Sequence, residues 1–147
     1  MNHHSEKLTV DTVVHQIDLQ VIDQQSGGCA AVRVGLEYAV SDPWAVSLVF
    51  ATASGPLRWE FARELLADGL YDHVGAGDVH LWPCLDSECR AVVMIELEGA
   101  DGSLVELQAP SRQVAAFVAA SYAVVPEGDE RRHLDLDALV DELLGEA

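Results

Sequence analysis

Residues 32–61 read VRVGLEYAVSDPWAVSLVFATASGPLRWEF. Val32, Val34, Leu36 and Tyr38 alternate with Arg33, Gly35 and Glu37. A period of two puts alternate side chains on opposite faces of a strand. Ser41-Asp42-Pro43-Trp44 breaks that strand, and Val46, Leu48 and Phe50 start another alternation. Ala53-Ser54-Gly55-Pro56 turns the chain again, and Leu57, Trp59 and Phe61 make a further strand. With the strand that precedes them, these make four strands in hairpin succession, which imply an antiparallel sheet with one face on a core.

Upstream, Leu8 to Asp23 carries Ile17, Leu19 and Val21 in alternation, a first strand, closed by the turn Gln24-Gln25-Ser26-Gly27-Gly28. After Phe61 the period changes. Phe61, Leu65, Leu66 and Leu70 fall near helical spacing, with Arg63, Glu64 and Asp68 outward, which predicts a helix over about Ala62–Ala67 ended by Asp68-Gly69. Glu60 and Glu64 flank Arg63 at short helical spacings, an ordinary surface pairing. Asp78–Pro83, Ala91–Glu98 and Leu104–Gln108 read as three more strands, the last two joined by the turn Gly99-Ala100-Asp101-Gly102. A second helix follows Pro110, with Ser111 as its N-cap. Val114, Phe117, Val118, Ser121 and Val125 trace one face of it, and the opposite alanine-rich face predicts cover on more than one side. A third helix starts near Asp135 and carries the stripe Leu136, Leu139, Val140, Leu143 and Leu144, which packs either on this domain or on a partner. The fold class expected is α+β with antiparallel sheets, about seven strands and three helices. The chain of 147 residues suits a single domain, 1–147, with residues 1–7 as a flexible tail.

Composition narrows function. The formal net charge is −17, from 25 acidic and 8 basic residues, and Lys7 is the single lysine. Nucleic-acid phosphates and anionic membranes both call for clustered cations, so neither is an expected partner. No apolar run is long enough to span a bilayer, and the opening MNHHSEKLTV lacks the basic start and apolar core of a signal peptide, which predicts a cytoplasmic protein. Cys29, Cys84 and Cys89 are an odd set, expected as free thiols. His80, Cys84 and Cys89 fit no usual zinc spacing, so no metal site is expected.

The stretch GAGDVHLWP at 75–83 looks at first like a phosphate loop. Such a loop needs strand, glycines, then helix, because the phosphate rests on the new helix's N-terminus. Here the order is helix, glycines, strand, and the third glycine position holds His80; the glycines are read as a turn. There is no G-x-S-x-G and no H-E-x-x-H. Asp135 and Asp137 are read as helix-capping residues rather than a paired acid and base. His15, His80 and His133 lack an adjacent nucleophile. No catalytic residue and no cofactor site is expected.

Four residues are candidates for partner contact. Arg131 and Arg132, with His133, form the one basic cluster, read either as a docking patch or as a solvated loop. Trp44 follows a turn proline and Trp82 precedes Pro83 near a strand end; each is either an interface anchor or a packing group in the core or at a sheet edge. Trp59, alternating with Leu57 and Phe61, is read as core.

Five segments, SDPWAVSLVF, WEFARELLADGL, GAGDVHLWP, APSRQVAAFV and VPEGDERRHLDLDALVDELL, occur in the order found in the SsgA-like proteins, sporulation and cell division regulators of actinobacteria. The chain resembles that family over about Leu36 to Leu144, and least over Met1 to Ala31. The resemblance implies a small cytosolic, non-enzymatic protein of sporulation-specific septation, located at division septa, and the chain looks most like the branch that recruits the tubulin-like protein FtsZ. It implies two antiparallel sheets resembling the whirly single-stranded nucleic-acid binders, a homotrimer, and related SsgA-like proteins as further partners. The reading is therefore an acidic adaptor that positions division proteins. The alternatives are a single-stranded nucleic-acid module on the same fold and a cell-wall enzyme with paired carboxylates.

Overall fold

The computed structural model describes residues 11–23, 25–134 and 136–145. The expected tail at 1–7, the start of the first strand at Leu8 and the cap at Asp135 lie outside the described residues. In chain order the elements are β1 (Thr12–Ile22), β2 (Cys29–Ala39), β3 (Ala45–Thr52), β4 (Gly55–Ala62), α1 (Arg63–Gly69), β5 (Val74–Ala76), β6 (Val79–Leu85), β7 (Ala91–Glu98), β8 (Leu104–Pro110), α2 (Ser111–Val124), a 3₁₀ turn (Glu130–His133) and α3 (Leu136–Gly145).

The class is α+β, as the periodicities imply, but the two expected sheets are one. Eight strands run in the order β4-β3-β2-β1-β8-β7-β6-β5, every neighbour antiparallel. Two four-stranded meanders join where β1 meets β8 through three residue pairs, Gln20 with Gln108, Val21 with Leu107 and Ile22 with Glu106. That seam is narrow, yet an apolar row crosses it. Val74, Leu81, Ile95, Leu107 and Val21 stand opposite one another on five successive strands. Cross-strand neighbours on one face are the unit that stabilises a sheet, so the row holds the halves as one surface. The eighth strand, β5, has three residues and a central glycine, too short for an alternation to show.

One face of the sheet carries the core. Ile17, Leu19, Val34, Leu36 and Leu48 from the first meander, and Leu81, Val93, Ile95 and Leu107 from the second, are buried against Leu66 of α1 and Val114, Phe117 and Val118 of α2. The expected face of α2 is the buried one, including Ser121 and Val125. Its other side is not covered: Ala115, Ala116, Ala119 and Ala123 are exposed, because the single sheet occupies one flank of the helix only. Nor is Ser111 the cap. Pro110 holds the N-cap position with an extended backbone, no side-chain oxygen bonds the first turn, and Ser111 is already helical.

Two glycines are demanded by close approach. A Cβ on Gly69 would stand 2.7 Å from the Leu81 Cβ, so α1 reaches β6 only because the side chain is absent. Gly77 has φ +63 in the tight link between β5 and β6, which confirms a turn there, while Gly75 lies in β5 facing His80.

Candidate partner-binding surface

The region built from Trp44, Arg63 and the segment after α2 departs most from the sequence reading. Arg63 is not outward. It opens α1 and is 1% exposed. Its position explains this: Arg63, Leu66 and Leu70 stand at i, i+3 and i+7, the stripe that faces the sheet. Its partner is not Glu60 or Glu64. Nη2 donates to Glu130 Oε2 at 2.9 Å, and Nη1 donates to the carbonyls of Ser121 and Val125 at 3.0 and 2.8 Å. Those carbonyls belong to the last turn and C-cap of α2, where a cation also complements the helix dipole. The guanidinium carbon lies 4.6 Å from the Tyr38 ring centre and 3.9 Å from that of Tyr122, so two aromatic rings flank the charge. Nε is buried without a hydrogen-bond partner among the described residues.

This arrangement fixes its surroundings. The Arg63 backbone N–H donates to the Trp44 carbonyl at 2.7 Å, tying the β2–β3 turn to the start of α1. The Tyr38 hydroxyl donates to the Pro43 carbonyl at 2.9 Å, in the same turn. Glu130 accepts from the Gly128 N–H at 2.9 Å and starts the 3₁₀ turn that carries Arg131 and Arg132. Hydrogen bonding at its own backbone, the Arg63 guanidinium and the Gly128 N–H hold the Glu130 carboxyl below the usual carboxylate range, against desolvation. Burial pushes the Tyr38 and Tyr122 phenols up, with Arg63 opposing the shift.

The four candidate contact residues do not form one patch. Trp44 is 45% exposed, not a core or edge-packing group, and it borders a hollow shared with Glu127, Gly128 and Glu130. Arg131 and Arg132 are exposed on the adjoining turn, where Arg132 Nε lies 4.0 Å from Asp129 Oδ1. Trp82 is elsewhere: half-buried on β6, it meets His73 edge-on at 5.2 Å and lines a different hollow with Tyr71, Asp72 and Pro83. Trp59 is partly buried against the core, as its alternation implies, whereas Leu57 on the same strand is exposed.

The stripe on α3 has a clear outcome. Leu136, Leu139, Val140, Leu143 and Leu144 are all exposed, so the helix does not bury them on this domain. The acidic residues Asp137, Asp141 and Glu142 lie along the same helix, with no basic residue.

The positive charge is largely paired. Arg33, Arg58, Arg63, Arg90 and Arg132 each sit within 4.0 Å of a carboxylate. His80 Nδ1 is 3.9 Å from Glu96 Oε1, Cys84 is exposed and donates to the Leu85 carbonyl, and Cys89 sits at φ +62 in the β6–β7 turn.

Residues 32–130 match the family model described as Streptomyces sporulation and cell division protein, SsgA. The chain is 37% identical to the sporulation-specific cell division protein SsgB of Kineococcus radiotolerans, covering 97% of this chain and 90% of that protein. It is 39% identical to SsgB of Streptomyces coelicolor, covering 92% of this chain and 98% of the relative. Among solved structures, one described as "Mutations in SsgB correlate to longitudinal cell division during sporulation of Streptomyces coelicolor" superposes with a TM-score of 0.75 at 39% identity, over 84% of this chain and 95% of the other. An SsgA-like sporulation-specific cell division protein from Thermobifida fusca superposes with a TM-score of 0.79 at 29% identity, over 92% and 98%.

Proposed function

Because the chain belongs to the SsgA family of sporulation and cell division proteins, we propose that it is a non-enzymatic regulator of sporulation-specific septation that recruits FtsZ to septum sites. The observation that carries this reading is the near full-length similarity to SsgB, 39% identity over 98% of the Streptomyces coelicolor protein. The surface supports an adaptor: a large exposed tryptophan, Trp44, and an exposed apolar stripe on α3 suit protein contact more than small-molecule chemistry. The proposed contact residues are Trp44, Trp82, Arg131 and Arg132, and the proposed location is the cytoplasm at division septa. No helix among the described residues is long and apolar enough to cross a membrane.

The electrostatics favour binding over catalysis. Among the described residues, the carboxylates that depart from their ordinary range, Asp23, Asp86, Asp101 and Glu130, are all lowered by hydrogen bonds, whereas a general acid needs its pKa raised. A single-strand binder needs a positive groove with stacking aromatics. Five of the eight basic residues here are already paired with carboxylates, which leaves little charge for one. The test is a pull-down with the immobilised full chain. Retention of FtsZ or another division protein supports the adaptor; retention of none overturns it. The same chain is expected to self-associate as a trimer through the open alanine face of α2 around Ala115, Ala116 and Ala119; Ala120, also expected on that face, packs partly against the core instead.

A further inference from the structure

The hollow beside Trp44 has a composition that selects its occupant. Its volume is about 260 Å³, below the ~300–1,000 Å³ usual for small-molecule sites, so it fits a single side chain rather than a cofactor. Trp44 and Tyr122 supply its aromatic lining, and Glu64, Glu127 and Glu130 its carboxylates. One cation, Arg63, stands against those three acids, a balance of −2. Arg63 is also largely engaged: Glu130 takes its charge, Glu130 and two carbonyls take Nη1 and Nη2 donors, Tyr38 and Tyr122 flank it, and Nε alone has no partner among the described residues.

Glu64 and Glu127 differ from Glu130. Both are exposed, and neither side chain makes a hydrogen bond or ion pair with another described residue. Both line the same hollow as Tyr122. Trp44, nearly half exposed, has no ring partner among the described residues. Aromatic faces with free carboxylates beside them attract a cation, most strongly a guanidinium, which stacks on rings and forms paired hydrogen bonds to carboxylates.

We propose that the hollow formed by Trp44, Tyr122, Glu64 and Glu127 is a socket for one cationic side chain, arginine in preference to lysine, presented by a protein partner. The inference concerns the chemistry of the contact and holds whichever division protein is bound. The Arg63–Glu130 pair serves as the floor of the socket: it fixes the turn of Glu127 and Gly128 against the Trp44 turn and keeps the volume open.

The test is a titration of the ¹⁵N-labelled full chain with N-acetyl-arginine methylamide, followed by NMR, with N-acetyl-norleucine methylamide as the uncharged control. The expected result is saturable shifts at the Trp44 indole N–H and the Gly128 amide with the arginine probe and none with the norleucine probe. The dissociation constant should rise about threefold or more in Trp44→Ala and in the double variant Glu64→Gln, Glu127→Gln, as expected for loss of a surface cation–π contact or its paired charges. These side chains are exposed, so the variants keep the fold, and the spectrum itself reports it. Absence of saturable shifts, equal shifts from both probes, or an unchanged constant in the double glutamine variant would each overturn the socket.

Discussion

Arg63 and Glu130 meet at 2.9 Å across 67 residues of sequence, with the arginine 1% and the glutamate 14% exposed. The contact joins the start of α1 to the segment after α2, and so places Trp44, the Glu127–Gly128 turn and the basic turn on one side of the molecule. Replacing one member of a buried pair leaves the other groups without a partner, which is costlier than never having built the pair.

Arg63→Ala removes three hydrogen bonds, two ring contacts and the packing of the arginine stem. The expected loss is about 3–5 kcal/mol, read as a lower urea midpoint with unchanged slope. A loss under about 1 kcal/mol, the range of a surface ion pair, would show that the buried arrangement does not hold in solution.

The Glu130 carboxyl is held below its ordinary range in the folded chain, so its contribution is present above the unfolded pKa and disappears as pH falls through the folded one. Wild type should therefore exceed Glu130→Gln in stability at neutral pH, and the gap should close as the solution is acidified below the ordinary carboxylate range. A gap that stays constant well below that range contradicts the assignment.

Gly69→Ala would gain helix propensity of about 1 kcal/mol in an open helix. Here the added Cβ meets Leu81 at 2.7 Å, and the strain should outweigh that gain, for a net loss of about 1–3 kcal/mol in urea unfolding. Stabilisation by this substitution would mean that α1 does not lie so close to β6.

The sequence made most strands legible because their alternation is regular: β7 runs over Ala91–Glu98 as expected, and β3 and β4 differ from expectation only at their ends. The buried face of α2 was legible for the same reason. The join of β1 to β8 was not. It pairs Gln20 with Gln108 through three residue pairs, and nothing in a local period reports a contact of that range. Arg63 illustrates a different failure. Its charge suggested solvent, although its spacing to Leu66 and Leu70 placed it on the inward stripe; spacing was the better guide. The exposed stripe of α3 was visible as a pattern, and only the fold shows that its own domain leaves it open. Of the four candidate contacts, Trp44 and the two arginines adjoin one hollow and its neighbouring turn, and Trp82 belongs to another.

The α3 stripe gives a separable test of surface against stability. Leu139 and Leu143 are 49% and 66% exposed, so the pair of changes Leu139→Asp and Leu143→Asp should alter stability by no more than about 0.5 kcal/mol each while weakening retention of a division protein in the pull-down. Marked destabilisation would place the stripe inside the fold instead.

Co-sedimentation of the full chain with FtsZ polymers decides whether this protein recruits FtsZ. The chain is expected to pellet with FtsZ assembled in the presence of GTP and to stay in the supernatant without it, with less pelleting for Trp44→Ala. A chain that remains in the supernatant at every FtsZ concentration would rule out recruitment of FtsZ by this protein.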